Sequence, residues 1–323
     1  MSPINRTDAD FAFTPKPSIT ADGQYPPAPP TPPTPTPDPL AHLGPLEALV
    51  GNWEGQGFNS IWRPHFPSAE SDRFLELNLT AEKLAFSPIE GEIPNRGLLQ
   101  ADLVMFGVTY LQQIAERDTP SEGLHIEPGI WAVVPQTVDP AEAPTVVRMA
   151  SIPHGTAILA QGTASVSSGP PTIADNNIIP FGIGGPQPPN SGFLAAEAEF
   201  TQLNLGTTNA FRKESHGVTE TMVENPNSLL REALADVTIK ETTTLEIATT
   251  DTPVPGGGTA NTAFLQAGNA NASVVSATFW IETIEGPAGG PDTVQLQYSQ
   301  TVMLDFNGLR WPHVTVATLK KLT

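Results

Sequence analysis

Short alternating apolar runs, cut by turn residues, recur along this chain from about residue 70 to its end. They leave room for little but sheet. Leu75, Leu77 and Leu79 alternate with Glu76, Asn78 and Thr80, the period of a half-buried strand. Further strands are expected near 98–113, 124–134, 146–152, 156–160, 195–205, 237–249, 274–282, 294–304 and 310–322. Pro153-His154-Gly155 reads as a turn, and residues 165–192, rich in Gly, Pro, Asn and Ser, as a long loop. Helical signals are few: a short lead-in at 45–50, and 227–234 with Asn227 or Ser228 as its cap. Many short strands without strand–helix alternation make the fold all-β, and the pattern by itself admits a barrel or a sandwich.

The N-terminal stretch is different. Prolines crowd from Pro26 to Pro39. Proline has no amide proton to give a sheet or a helix interior, so residues 1–44 are expected to form a disordered or extended Pro-rich tail outside the folded domain. The domain itself is expected at 45–323. The charge balance, 34 acids against 15 bases, disfavours nucleic acid and anionic membrane as partners. There is no cysteine, which removes disulfides, thiolate metal sites and thiol catalysis. The first residues lack the apolar core of a signal peptide, and no apolar run reaches membrane-spanning length, so a cytoplasmic location is expected.

Four blocks, in order, resemble the nitrobindin family. Gly51-Asn52-Trp53-Glu54-Gly55-Gln56-Gly57 is similar to its opening Gly-x-Trp-x-Gly-x-Gly. Leu124-His125-Ile126-Glu127-Pro128-Gly129-Ile130-Trp131 resembles its Met-His-x-Glu-x-Gly-Tyr-Trp strand. Pro153-His154-Gly155 resembles its Pro-Thr-Gly turn. Leu309-Arg310-Trp311-Pro312-His313, ending in Leu319-Lys320-Lys321-Leu322, resembles its last strand. The family's Gly-x-Tyr-Pro after the opening block is absent, with Phe58-Asn59-Ser60-Ile61-Trp62-Arg63-Pro64 in its place, and Pro128 stands inside a strand.

The resemblance implies an antiparallel up-and-down β-barrel of the calycin kind with one or two short helices, expanded at about 165–270. It implies a b-type haem, with His313 as the iron ligand and Met303, Leu124, His125 and His154 around the pocket. It further implies chemistry on small nitrogen oxides or peroxides: NO binding, isomerisation of peroxynitrite, or a peroxidase-like activity. The chemistry of these residues is compatible with this. A neutral imidazole binds iron through one ring nitrogen, while an acceptor on the other orients the ring. His313 shares a strand face with Thr315, Ala317 and Leu319.

Met303 poses a conflict. A two-residue turn at Asn307-Gly308 would pair it with Pro312 and turn it away from His313, so the resemblance requires an odd loop or a bulge near Pro312. Of the other histidines, His65 follows Pro64 in a loop near the entrance, and His42 and His216 are expected in solvent. A haem-free carrier of an apolar ligand such as a fatty acid uses the same barrel. A scaffold displayed on the Pro-rich arm is a third possibility. No paired carboxylates, nucleophile elbow or phosphate loop competes with these readings.

Overall fold

The computed structural model describes residues 38, 40–66, 70–251, 254–288 and 290–322. One compact unit runs from Pro39 to the C-terminus. The Pro-rich arm, up to residue 37, lies outside the described residues.

Ten strands form the wall: β1 (Gly51–Pro64), β2 (Arg73–Pro88), β3 (Leu103–Glu116), β4 (Gly123–Val134), β5 (Thr145–Ile152), β6 (Thr156–Ser168), β7 (Ile239–Ala248), β8 (Asn271–Ile284), β9 (Thr293–Phe306) and β10 (Leu309–Lys321). Each pairs antiparallel with the next in sequence, and β10 closes on β1. The result is the expected up-and-down barrel, and its closure leaves none of the ten staves with a bare edge. Closure is tight at the opening glycines. A Cβ on Gly55 or Gly57 would lie 2.1 Å from the carbonyl oxygen of Thr318 or Val316 on β10. Only glycine lets the two backbones meet there.

A 3-10 helix, Gly44–Leu49, plugs the lower end, with Leu46 and Leu49 fully buried. The Trp53 indole donates to the Leu49 carbonyl at 2.7 Å. Leu43, at 1% exposure, belongs to the same core, and Leu40 packs against it. The folded unit therefore starts about six residues before the expected boundary at 45. A chain beginning at Pro45 should be less stable than one beginning at Pro39 by about 2–3 kcal/mol, the worth of one buried leucine. Urea unfolding of the two checks this; equal midpoints would mean the 39–44 segment only rests on the plug.

The leucines of β2 are the main surprise. Leu75, Leu77 and Leu79 face out of the barrel, and their polar alternates Asn78, Thr80 and Glu82 face in. The reason is the insertion at 169–238, which packs over the outer wall and makes a second core there. Phe193, Ala196, Phe200 and Leu203 from the insertion meet Phe58, Trp62, Leu75, Trp311 and Val316 from the wall. The strand expected near 195–205 is instead a helix, Phe193–Glu199, followed by a 3-10 turn, Thr201–Leu203. Its buried residues recur at helical rather than alternating spacing. The expected helix at 227–234 is present as Ser228–Ala233, but the Asn227 side chain does not cap it. That amide instead donates to the Ala174 carbonyl and accepts from Ser299, tying the insertion to β9.

Beneath this helix, Gln297 donates to the Leu230 carbonyl at 3.0 Å and Gln295 to Glu282 at 2.8 Å. Glu282 is fully buried, its Oε1 has no partner, and burial pushes its carboxyl up to about 7. A folded-state pKa above the unfolded value means that the native state holds the proton longer. The penalty is absent at and below pH 4.5, grows as pH rises, and is complete above 7. Glu282→Gln should therefore add about 1–3 kcal/mol at pH 8 and almost nothing at pH 4.5. A pH-independent difference in urea midpoint would contradict it.

Among the described residues no helix is long and apolar enough to cross a membrane.

Candidate functional site

The upper end of the barrel encloses a cavity of about 240 Å³. His313 on β10, His125 and Leu124 on β4, and His154 in the β5–β6 turn all line it. In a ten-stave barrel β10 and β5 stand opposite each other, so the imidazoles come from facing walls. Val302, Leu304, Val275, Ile114 and Ile152 supply apolar wall. Leu265 and Ala270, from the segment between β7 and β8, form the roof. The sequence had named four of these residues, which span 190 positions of chain, and the fold collects all four.

Met303 is the exception. The Asn307-Gly308 turn has two residues with positive φ, 49° and 75°, as a tight hairpin of this kind requires. The β9–β10 register runs without a bulge from Phe306↔Leu309 through Met303↔Pro312 to Gln295↔Lys320. Met303 therefore lies on the outer face, and the expected odd loop or bulge is absent. Val302, paired with His313, takes the inward position. Local turn chemistry fixes the register, and one residue of register decides the face. Pro128 is accommodated because the β4–β5 ladder begins only at Gly129↔Ala150.

His313 sits on a strand hydrogen-bonded on both sides, to β9 and β1. Burial, then the neighbouring His125 and His154, pull its pKa down to about 3, so the ring is neutral at physiological pH. Its Nε2 lies 2.8 Å from Asn59 Nδ2. Among the described residues its Nδ1 makes no hydrogen bond. His125 and His154 stack at 5.6 Å. The His125 Nε2 lies 3.2 Å from Glu127 Oε2, and a carboxylate can only accept, so that nitrogen carries the proton. Partial burial, and then the neighbouring His125, lower the pKa of His154, which lies at the rim. His65 packs against Phe74 and Phe211 instead of the cavity. His216 is exposed; His42 is exposed too, but stacks on Phe106 at 4.5 Å.

Below the cavity lies a buried polar floor that the sequence did not announce. Arg148, at 1% exposure, donates to Glu127, to the Tyr110 hydroxyl at 2.9 Å and to Gln300 at 2.6 Å. Tyr110 also donates to Glu127. Burial alone would raise the Glu127 carboxyl, but the Arg148 guanidinium and the His125 hydrogen bond hold it down at about 2. A second chain joins Gln112, Tyr298 and Glu82: Gln112 donates to Tyr298 at 2.9 Å and Tyr298 to Glu82 at 2.5 Å. Burial pushes Glu82 up to about 7. Gln300, Asn59 and Thr315 carry this polarity up to the cavity wall. One signal existed: Arg148 stands alone in the apolar run Val146 to Met149.

No family model matches the chain, and no curated protein matches it. The likeness to the nitrobindin family thus rests on its four sequence motifs. Among the described residues, no group of three or more His, Asp or Glu side chains is placed to hold a metal ion. A porphyrin iron asks less of the protein, a single axial donor.

Proposed function

We propose that this chain is a haem-binding β-barrel of nitrobindin type, with His313 as the iron ligand. The observation that carries the reading is the convergence of three imidazoles from facing walls on one apolar-walled cavity, one of them neutral and rigidly mounted. The donors fit an iron porphyrin in kind. The cavity does not fit in size: about 240 Å³ lies below the roughly 300–1,000 Å³ of ordinary ligand pockets. A macrocycle requires Leu265 and Ala270 to lift from the mouth. Bound iron would supply the chemistry on NO, peroxynitrite or peroxide that the family resemblance implies. The chain's own part would be to hold the metal at His313, to keep bulk water out with Val302, Leu304 and Leu265, and to offer His125 and His154 as hydrogen-bonding groups on the facing wall.

The small volume favours one other reading, a haem-free carrier of a smaller apolar ligand. Hemin titration separates the two. A sharp Soret band at one equivalent supports the first. Free-hemin absorbance throughout, together with displacement of a fluorescent fatty-acid probe by unlabelled fatty acid, leaves only the second.

A further inference from the structure

Asn59 stands one strand away from His313, paired with Thr315 across the β1–β10 ladder. Its Nδ2 lies 2.8 Å from His313 Nε2 and 2.7 Å from Thr315 Oγ1. Its Oδ1 faces Asn78 Nδ2 at 3.5 Å. An amide nitrogen has two protons to give and no lone pair to receive one, and an amide oxygen has the reverse. In the orientation shown, each of the three contacts joins a donor to an acceptor, the criterion by which such amides are assigned. Both protons are then committed, one to Thr315 and one to the imidazole. With the amide set this way, His313 Nε2 accepts. A neutral ring that accepts at Nε2 carries its proton at Nδ1.

We infer that Asn59 is a positioning residue that locks His313 in its Nδ1–H tautomer in the ligand-free protein. The ring nitrogen left without a partner is then a proton donor, where a metal would need a lone pair. An acceptor head group, a carboxylate or a carbonyl, meets a ready partner at His313. An iron ion does not. For Nδ1 to bind a metal its proton must move to Nε2, and Nε2–H then needs an acceptor. Asn59 supplies one only by turning its amide over, and Asn78 must then turn with it to avoid opposing two donors. Ligation at His313 therefore works against Asn59. This last step rests on the haem reading; the tautomer does not.

The site had no sequence signal, because Asn59 falls in Phe58-Asn59-Ser60, where the family motif is missing. It also differs from an ordinary structural asparagine in what it predicts. The test is long-range 1H–15N correlation NMR of the haem-free chain, with His313→Gln used to assign the ring signal. The wild type should show Nδ1 protonated and Nε2 as an acceptor. Asn59→Leu should shift the population to the Nε2–H form, and hemin affinity should rise about ten-fold in that variant. A wild-type ring in the Nε2–H form overturns the proposal without any variant. So does an Nδ1–H ring that survives Asn59→Leu. An Nδ1–H wild type that takes up no hemin leaves this inference standing and removes the haem reading instead.

Discussion

His313→Ala is expected to abolish the Soret band of the hemin-treated chain while its β-sheet circular dichroism stays unchanged. No ladder hydrogen bond depends on this side chain; the strand pairs to β9 and β1 through backbone. The substitution removes the imidazole and leaves one Asn59 proton without its acceptor, at a cost of about 1–3 kcal/mol in the haem-free protein. Stabilisation by bound hemin disappears as well, because a ligand that no longer binds the native state no longer supports it. His125→Ala is the paired control. It removes a donor to Glu127 from the opposite wall, so it should alter the position of the band and keep the affinity within about ten-fold. If His125→Ala loses the band and His313→Ala keeps it, the iron ligand belongs to β4. If both keep it, no imidazole of this cavity holds the iron.

Arg148→Met should be the most destabilising single substitution in the barrel interior, by about 3–5 kcal/mol at pH 7. Arg148 and Glu127 are both buried, at 1% and 0% exposure. Taking two such charges out of water costs several kcal/mol each, and their pairing repays it. Removing the guanidinium leaves an ionised carboxylate under the cavity with only His125 and Tyr110 for partners. It also breaks the bond to Gln300 and vacates the space over the Tyr110, Trp131 and Phe279 rings. Adding Glu127→Gln removes the stranded charge. The double variant should therefore be more stable than Arg148→Met alone, a non-additivity that urea unfolding reads directly.

The pH dependence has the opposite sign to that of Glu282. A carboxyl held near 2 contributes stability that is complete above the unfolded pKa and is lost as pH falls from 4.5 toward 2. Equal midpoints for wild type and Arg148→Met would show that the floor is held by its aromatic packing instead.

What the sequence determined by itself was local. The period-2 runs placed nine of the ten barrel strands, because alternation is written by each strand's own side chains. At β1 the sequence offered only the block Gly51-Asn52-Trp53-Glu54-Gly55-Gln56-Gly57, and the structure gives the reason for its glycines: at Gly55 and Gly57 another backbone approaches. The motifs at Leu124-His125, Pro153-His154-Gly155 and Pro312-His313 named residues that do line one cavity. Asn307-Gly308 specified its hairpin firmly enough to turn Met303 outward, against what the resemblance implied.

What only the tertiary structure decided was which face of a strand is inside. Leu75, Leu77 and Leu79 alternate as any core face would, yet they point out of the barrel, because residues 169–238 bring a second apolar surface to the outer wall. Periodicity reports that a face is buried and not what buries it. The polar floor was hidden for the same reason. Glu82, Gln112, Glu127, Arg148 and Tyr298 lie on five different strands, and only barrel closure brings their partners within hydrogen-bonding reach. Asn59 belongs with them: an asparagine in sequence, and beside His313 a control on which nitrogen that ring can offer, since β1 reaches β10 only when the barrel shuts.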